Sequence, residues 1–114
     1  MTIKVLVLKS GEDVIADVQE MMSSENQVMG YFLTKPCVVK LQAKETNSDV
    51  SVRMHPWMPF AREKMIPLST DWVVTMVTPI EKIQAMYEKD VLNNGQETDS
   101  TDISDEPVKT GLTD

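Results

Sequence analysis

The sequence is short of the residues that most often carry chemistry. It has one cysteine, Cys37, and one histidine, His55, so no intramolecular disulfide and no multi-cysteine zinc site can form within it. No Ser or Cys stands in the context of an activated nucleophile, and no glycine-rich phosphate loop or metal-ligand spacing occurs. Asp13 with Asp17, and Asp71 near Glu63, are the carboxylate pairs on offer, but carboxylates at such density usually solubilise a surface. The expectation is a protein that is not an enzyme and uses no cofactor. Long apolar runs are missing too. Ile3 to Leu8 is soon followed by Lys9, Gly11 and acids, too short for a signal peptide, and no window approaches a membrane span. A soluble chain in a reducing, cytoplasmic-type compartment is expected.

Aromatic residues are scarce as well, at 5%, whereas Met is abundant, with nine copies against two Phe and two Tyr. Unbranched thioethers fill irregular gaps, so packing should be adaptable. With 114 residues and 41% hydrophobic content, one domain with a modest core is expected. The net charge of −7 is unevenly placed. Residues 93–114 hold six acids (Glu97, Asp99, Asp102, Asp105, Glu106, Asp114) and one base (Lys109), leaving only −2 on the body. An overall acidity that would argue against nucleic acid thus belongs largely to a terminal segment.

Along the body, short β-like runs alternate with polar turns. Ile3 to Leu8 is β-branched and apolar enough for a strand buried on much of both sides. A turn at Ser10–Asp13 follows, then a second strand with Val14, Ala16 and Val18 on one face, whose alternation Ile15 breaks. Ser23–Gln27 forms a polar connection to a long third strand, Tyr31 to Lys44, with Cys37, Val39, Leu41 and Ala43 facing inward. Cys37 there should be a small buried apolar residue rather than a reactive thiol. Pro36 inside that strand implies a bulge, bend or edge position. Thr46–Asp49 supplies a hairpin turn, and Val50, Val52 and Met54 alternate in a fourth strand. Residues 55–67 hold three of the six prolines and predict an irregular or extended excursion. Trp72 to Val77 reads as a fifth and last strand.

The helix has the clearest local signal. Thr78, Pro79 and Glu81 spell a capping box with Pro at the first helical position, and Ile80, Ile83, Tyr87 and Val91 line one stripe. The predicted organisation is a folded body over residues 1–92, with the helix at about 78–92, and an acidic, disordered tail over 93–114. That tail is either a simple solvating segment or an acidic arm that occupies the body's own basic surface.

This order of parts resembles the Sm-like proteins over residues 3–77, and within them the divergent Sm-like proteins of marine cyanophage type. Gly11, Val14, Ala16, Val18, Met21, Asn26 and Met29 match the spacing of the first Sm motif, with Met22 where the family has Asp and Glu25 where an apolar residue is usual. In the second motif Ser69 and Thr70 take the place of an Arg-Gly pair that normally contacts RNA bases. The helix follows the sheet here, whereas Sm proteins usually carry it in front. The resemblance implies a mainly β fold, a small barrel of five strongly bent antiparallel strands with, here, a C-terminal helix. It also implies a homo-oligomeric ring of roughly five to seven subunits, since open edge strands need a partner. The ring contact would pair Trp72, Val74 and Met76 with Val50, Val52 and Met54 of a neighbour. By the same resemblance the chain would act in the cytoplasm of an infected bacterial cell.

Two ligand candidates follow. Arg53, His55, Trp57, Phe60, Arg62 and Lys64 interleave cations with rings over twelve residues, a combination that holds phosphates and stacks unpaired bases. The alternative is that Trp57, Met58 and Phe60 pack against an adjacent subunit or the helix. Asn26, at the family's Asn position, is the other candidate, and its alternative is an ordinary turn residue. The expected partner is single-stranded RNA or DNA, and the competing role is a ring-shaped assembly protein that binds another polypeptide.

Overall fold

A computed structural model describes residues 1–43 and 50–93. The expectations for the Thr46–Asp49 turn and for the acidic tail beyond Asn93 lie outside the described residues. The protein is mainly β, with six strands: β1 (Ile3–Leu8), β2 (Asp13–Met22), β3 (Val28–Ala43), β4 (Val50–Pro56), β5 (Met65–Ser69) and β6 (Val73–Val77). A short helix, α1 (Glu81–Tyr87), continues into one π-helical turn, Glu88–Leu92. The sheet order is β4-β3-β2-β1-β6, and β5 also pairs with β3. The β1–β2, β1–β6, β2–β3 and β3–β5 pairs are all antiparallel.

The chain divides into two compact units. One comprises Met1–Val38 and Pro56–Pro79, the other Val39–His55 and the segment that starts at Ile80. The core of the first unit is built by alternation on facing strands: Leu6, Leu8, Val14, Ala16, Val18, Leu33, Ile66 and Leu68 form one buried cluster. Tyr31, Val38, Trp57, Ala61, Val73 and Met76 pack around it. Ile15, which breaks the alternation of β2, is itself fully buried, so that strand is covered on both faces at this point. In the second unit Met54 and Tyr87 are the buried side chains among the described residues.

Turns fall where the sequence predicts them. Gly11 adopts φ +97° in the β1–β2 turn, where its amide donates to the Leu8 carbonyl at 2.9 Å. The proline in β3 marks a bulge. Asp17 lies opposite Thr34 and Ile15 opposite Cys37, so Ala16 faces both Lys35 and Pro36, and Lys35 takes φ +51°. Cys37 is buried as expected, and burial pushes its thiol up to about 12. At pH 8 the thiolate that attacks electrophiles is therefore scarce in the folded state. Alkylation of Cys37 by iodoacetamide should track global unfolding in urea, and prompt labelling of the native protein would contradict this placement.

Four expectations are corrected. A sixth strand, β5, begins inside the 55–67 segment expected to be irregular or extended and runs on to Ser69. Ile66 and Leu68 point inward between exposed Met65, Pro67 and Ser69, a period-two pattern that Pro67 masks in the sequence. Proline is tolerated there because, among the described residues, β5 pairs only with β3. Second, Trp72 precedes β6 and closes a one-turn 3-10 helix, Thr70–Trp72, whose Asp71 amide donates to Ser69 Oγ at 3.1 Å. Third, the inward run of β3 stops at Val39: Leu41 is 73% exposed and Ala43 is exposed, because both faces of the strand are open beyond that point. Fourth, α1 begins after Ile80 with no side-chain cap. Thr78 Oγ1 instead accepts a hydrogen bond from Lys4 Nζ at 2.8 Å, a cross-strand partner that no local motif reveals.

One close approach holds β5 in place. A Cβ at Gly30 would sit 2.9 Å from the Leu68 carbonyl oxygen, directly on the β3–β5 ladder where Gly30 faces Ser69. Backbone atoms cannot yield as a side chain can. Gly30→Ala should therefore lower stability by about 1–3 kcal/mol, read as an earlier urea midpoint. An unchanged midpoint would show that the two strands do not meet so closely.

Candidate nucleic-acid interface

The sequence-predicted site residues fall into three places. The first is one end of the sheet. Ser23 organises the β2–β3 loop: its amide donates to the Gln27 carbonyl at 2.8 Å, and its Oγ accepts from the amides of Glu25 and Gln27 at 3.1 and 3.2 Å. That geometry places Asn26 at φ +62°, a left-handed conformation that Asn tolerates better than most residues. The turn requirement alone accounts for an Asn here. Because Met22 pairs with Val28 and Gly30 with Ser69, this loop and the Ser69–Trp72 turn share one end of the sheet. At the Arg-Gly place, Ser69 uses its hydroxyl as a cap and Thr70 is half-buried, so the pair offers no cation.

The second place is an excursion from the edge beside β3. Trp57 donates its amide to the Pro36 carbonyl at 2.9 Å, while Met65 lies opposite Thr34. Residues 58–64 thus leave the edge where β3 advances by Lys35 alone. Their path is a built turn, in which the Ala61 amide donates to the Met58 carbonyl at 3.1 Å and Pro59 supplies the φ that the second turn position needs. Trp57 packs against the core and is not free to stack on a base. Phe60 is 100% exposed at the turn corner, and Arg62, Glu63 and Lys64 are exposed behind it.

The third place belongs to the other unit. Arg53 and His55 lie two apart on β4, hence on the same face, and both are exposed. β4 neighbours β3, where Lys40 is also exposed. Partial burial lowers the affinity of His55 for a proton, and the positive charges of Lys40 and Arg53 lower it further. Lys40 and Arg53 are therefore both within electrostatic reach of the His55 ring. Lys40 was not among the residues that the sequence singles out; its outward phase on β3 was visible, but not that β4 would set it beside Arg53 and His55.

The structure thus keeps Asn26 apart from the excursion by about six residues of β3, roughly 20 Å of extended chain. Of the strand residues expected at a subunit contact, Val74 is 62% exposed, Trp72 is 45% exposed, and Val52 is half-buried. Met54 is buried and Met76 packs against the core, while Val50 opens β4. Backbone pairing at an edge does not need exposed side chains, so these positions bear on which edge docks rather than on whether one does. Among the described residues no group of three or more His, Cys, Asp or Glu could hold a metal ion.

No curated protein matches this sequence. The sheet order, the bent and bulged long strand, the 3-10 turn before β6 and the return of β6 onto β1 nevertheless accompany a family model, the Sm_like domain, that matches residues 3–88. That match covers most of the chain and nearly all of its described part, and the chain belongs to the Sm-like family.

Proposed function

We propose that this chain forms a homo-oligomeric ring that binds single-stranded nucleic acid, RNA or DNA, through its phosphates. The observation that carries the binding is the group of exposed Lys40, Arg53 and His55, in which the charges of Lys40 and Arg53 reach the His55 ring and together favour an anion. Ring formation is supported by the sheet itself. β6 at one end and β4 and β5 at the other each present an unpaired edge among the described residues, and edges of that kind are satisfied when copies add head to tail. Arg62 and Lys64 extend the cationic character along the chain. The role is one of binding, not catalysis. The resemblance to cyanophage-type members extends the proposal to phage nucleic-acid processing in the cytoplasm of an infected cell.

A second reading is a ring-shaped assembly protein that binds another polypeptide and no nucleic acid; the full exposure of Phe60 favours it. Fluorescence anisotropy with short single-stranded RNA and DNA at two salt concentrations separates the two. Binding that weakens steeply with salt supports the first, and no binding at low salt overturns it. Repeating the titration without residues 96–114 tests the acidic arm. Affinity should rise on deletion, and equal affinity removes the arm from consideration.

A further inference from the structure

Phosphate contacts alone leave Phe60 without a use. Trp57 and Ala61 both pack against the core of the first unit, so the chain is anchored on either side of the turn that carries this ring. Between those anchors Pro59 and the Met58–Ala61 hydrogen bond close the turn, with Phe60 at its third position. A ring that is 100% exposed yet held by a proline and a backbone bond is displayed in advance, and it gives up little freedom when something stacks on it. Exposed Arg62 and Lys64 follow at two and four residues, and with Glu63 between them the stretch behind the ring has two positive charges against one negative.

Size and charge decide the occupant. The exposed apolar side chains of this turn are Met58, Pro59 and Phe60, far short of the roughly 800 Å² per partner that a stable polypeptide interface buries. One nucleobase needs only one ring face, and cations behind the ring suit the phosphates that flank that base. Resting on the nucleic-acid reading above, we infer that Phe60 is a base-stacking residue whose contact favours single strands over duplex. In a duplex the bases are already paired and stacked, so admitting the ring means opening a step, whereas an unpaired strand offers a base face at little cost. The place differs from the Ser69–Thr70 turn, which offers no cation.

The test uses the full chain in fluorescence anisotropy with three probes of equal length: an ordinary single strand of RNA or DNA, a strand of the same backbone that carries no bases, and the duplex. Wild type should bind the ordinary strand at least about fivefold more tightly than the baseless one. Phe60→Ser should bring those two strands to equal affinity and lower the ratio of single-strand to duplex affinity by a similar factor, while Phe60→Trp should keep both differences. A fully exposed position leaves folding unchanged, which circular dichroism checks. Equal affinity of wild type for ordinary and baseless strands overturns the stacking while the phosphate reading stands. No binding of any probe at low salt overturns both. A preference for bases that persists in Phe60→Ser overturns the stacking as well, and a lowered assembly mass of that variant in sedimentation would then make Phe60 a contact between polypeptides.

Discussion

Reversing charge at Lys40 and Arg53 together, as Lys40→Glu with Arg53→Glu, should lower affinity for single-stranded nucleic acid by at least tenfold at low salt. The slope of log affinity against log salt should flatten by about 1.4, since each phosphate contact on a single strand contributes roughly 0.7. Both residues are exposed, so folding should be little affected and circular dichroism should match wild type. His55 adds a pH signature. In the free protein its pKa lies below the ordinary histidine value because of partial burial and the charges of Lys40 and Arg53. A bound phosphate raises it again, so binding takes up a proton and affinity should climb as pH falls from 7 towards 5.5. His55→Ala should abolish that climb while keeping most of the affinity at pH 7. A flat profile in wild type, or an undiminished salt slope in the double variant, would place the phosphate contacts elsewhere.

Truncating Leu33 should have the largest effect on stability. It is fully buried in the cluster that joins β1, β2, β3 and β5, and it lies just before the bulge that lets β3 bend. Leu33→Ala removes three methyl-sized groups and leaves a cavity that paired strands cannot easily collapse, at a cost of about 2–5 kcal/mol. Urea unfolding at fixed protein concentration would show it; concentration must be held constant because an oligomer's apparent stability depends on it. A loss below about 1 kcal/mol would mean that this cluster is not the centre of the fold.

Most strands were legible because their faces differ: Val14, Ala16 and Val18 alternate with polar residues, and a half-buried strand needs nothing more to be recognised. Pro36 announced a bulge, bend or edge position for a covalent reason, the missing N–H, and the structure resolves it as a bulge. β5 was hidden by that same rule, since Pro67 reads as a breaker until one knows that, among the described residues, its strand pairs on one side only. The capping box at Thr78 failed because Lys4, seventy-four residues away, takes the hydroxyl. In the candidate site, the cations of 53–64 could be named from their spacing, but not that Trp57 would turn into the core, that Phe60 would stand alone, or that Lys40 would join Arg53 and His55 from another strand.

What the sequence determined by itself is whatever depends on neighbours a few residues apart: strand periodicity, glycine and asparagine turns, the bulge, and the family to which the order of parts points. What only the tertiary structure decided is which edges stay open and which charges meet. Those depend on pairings between residues distant in the chain, as Gly30 with Ser69, and a local pattern carries no information about its partner's register.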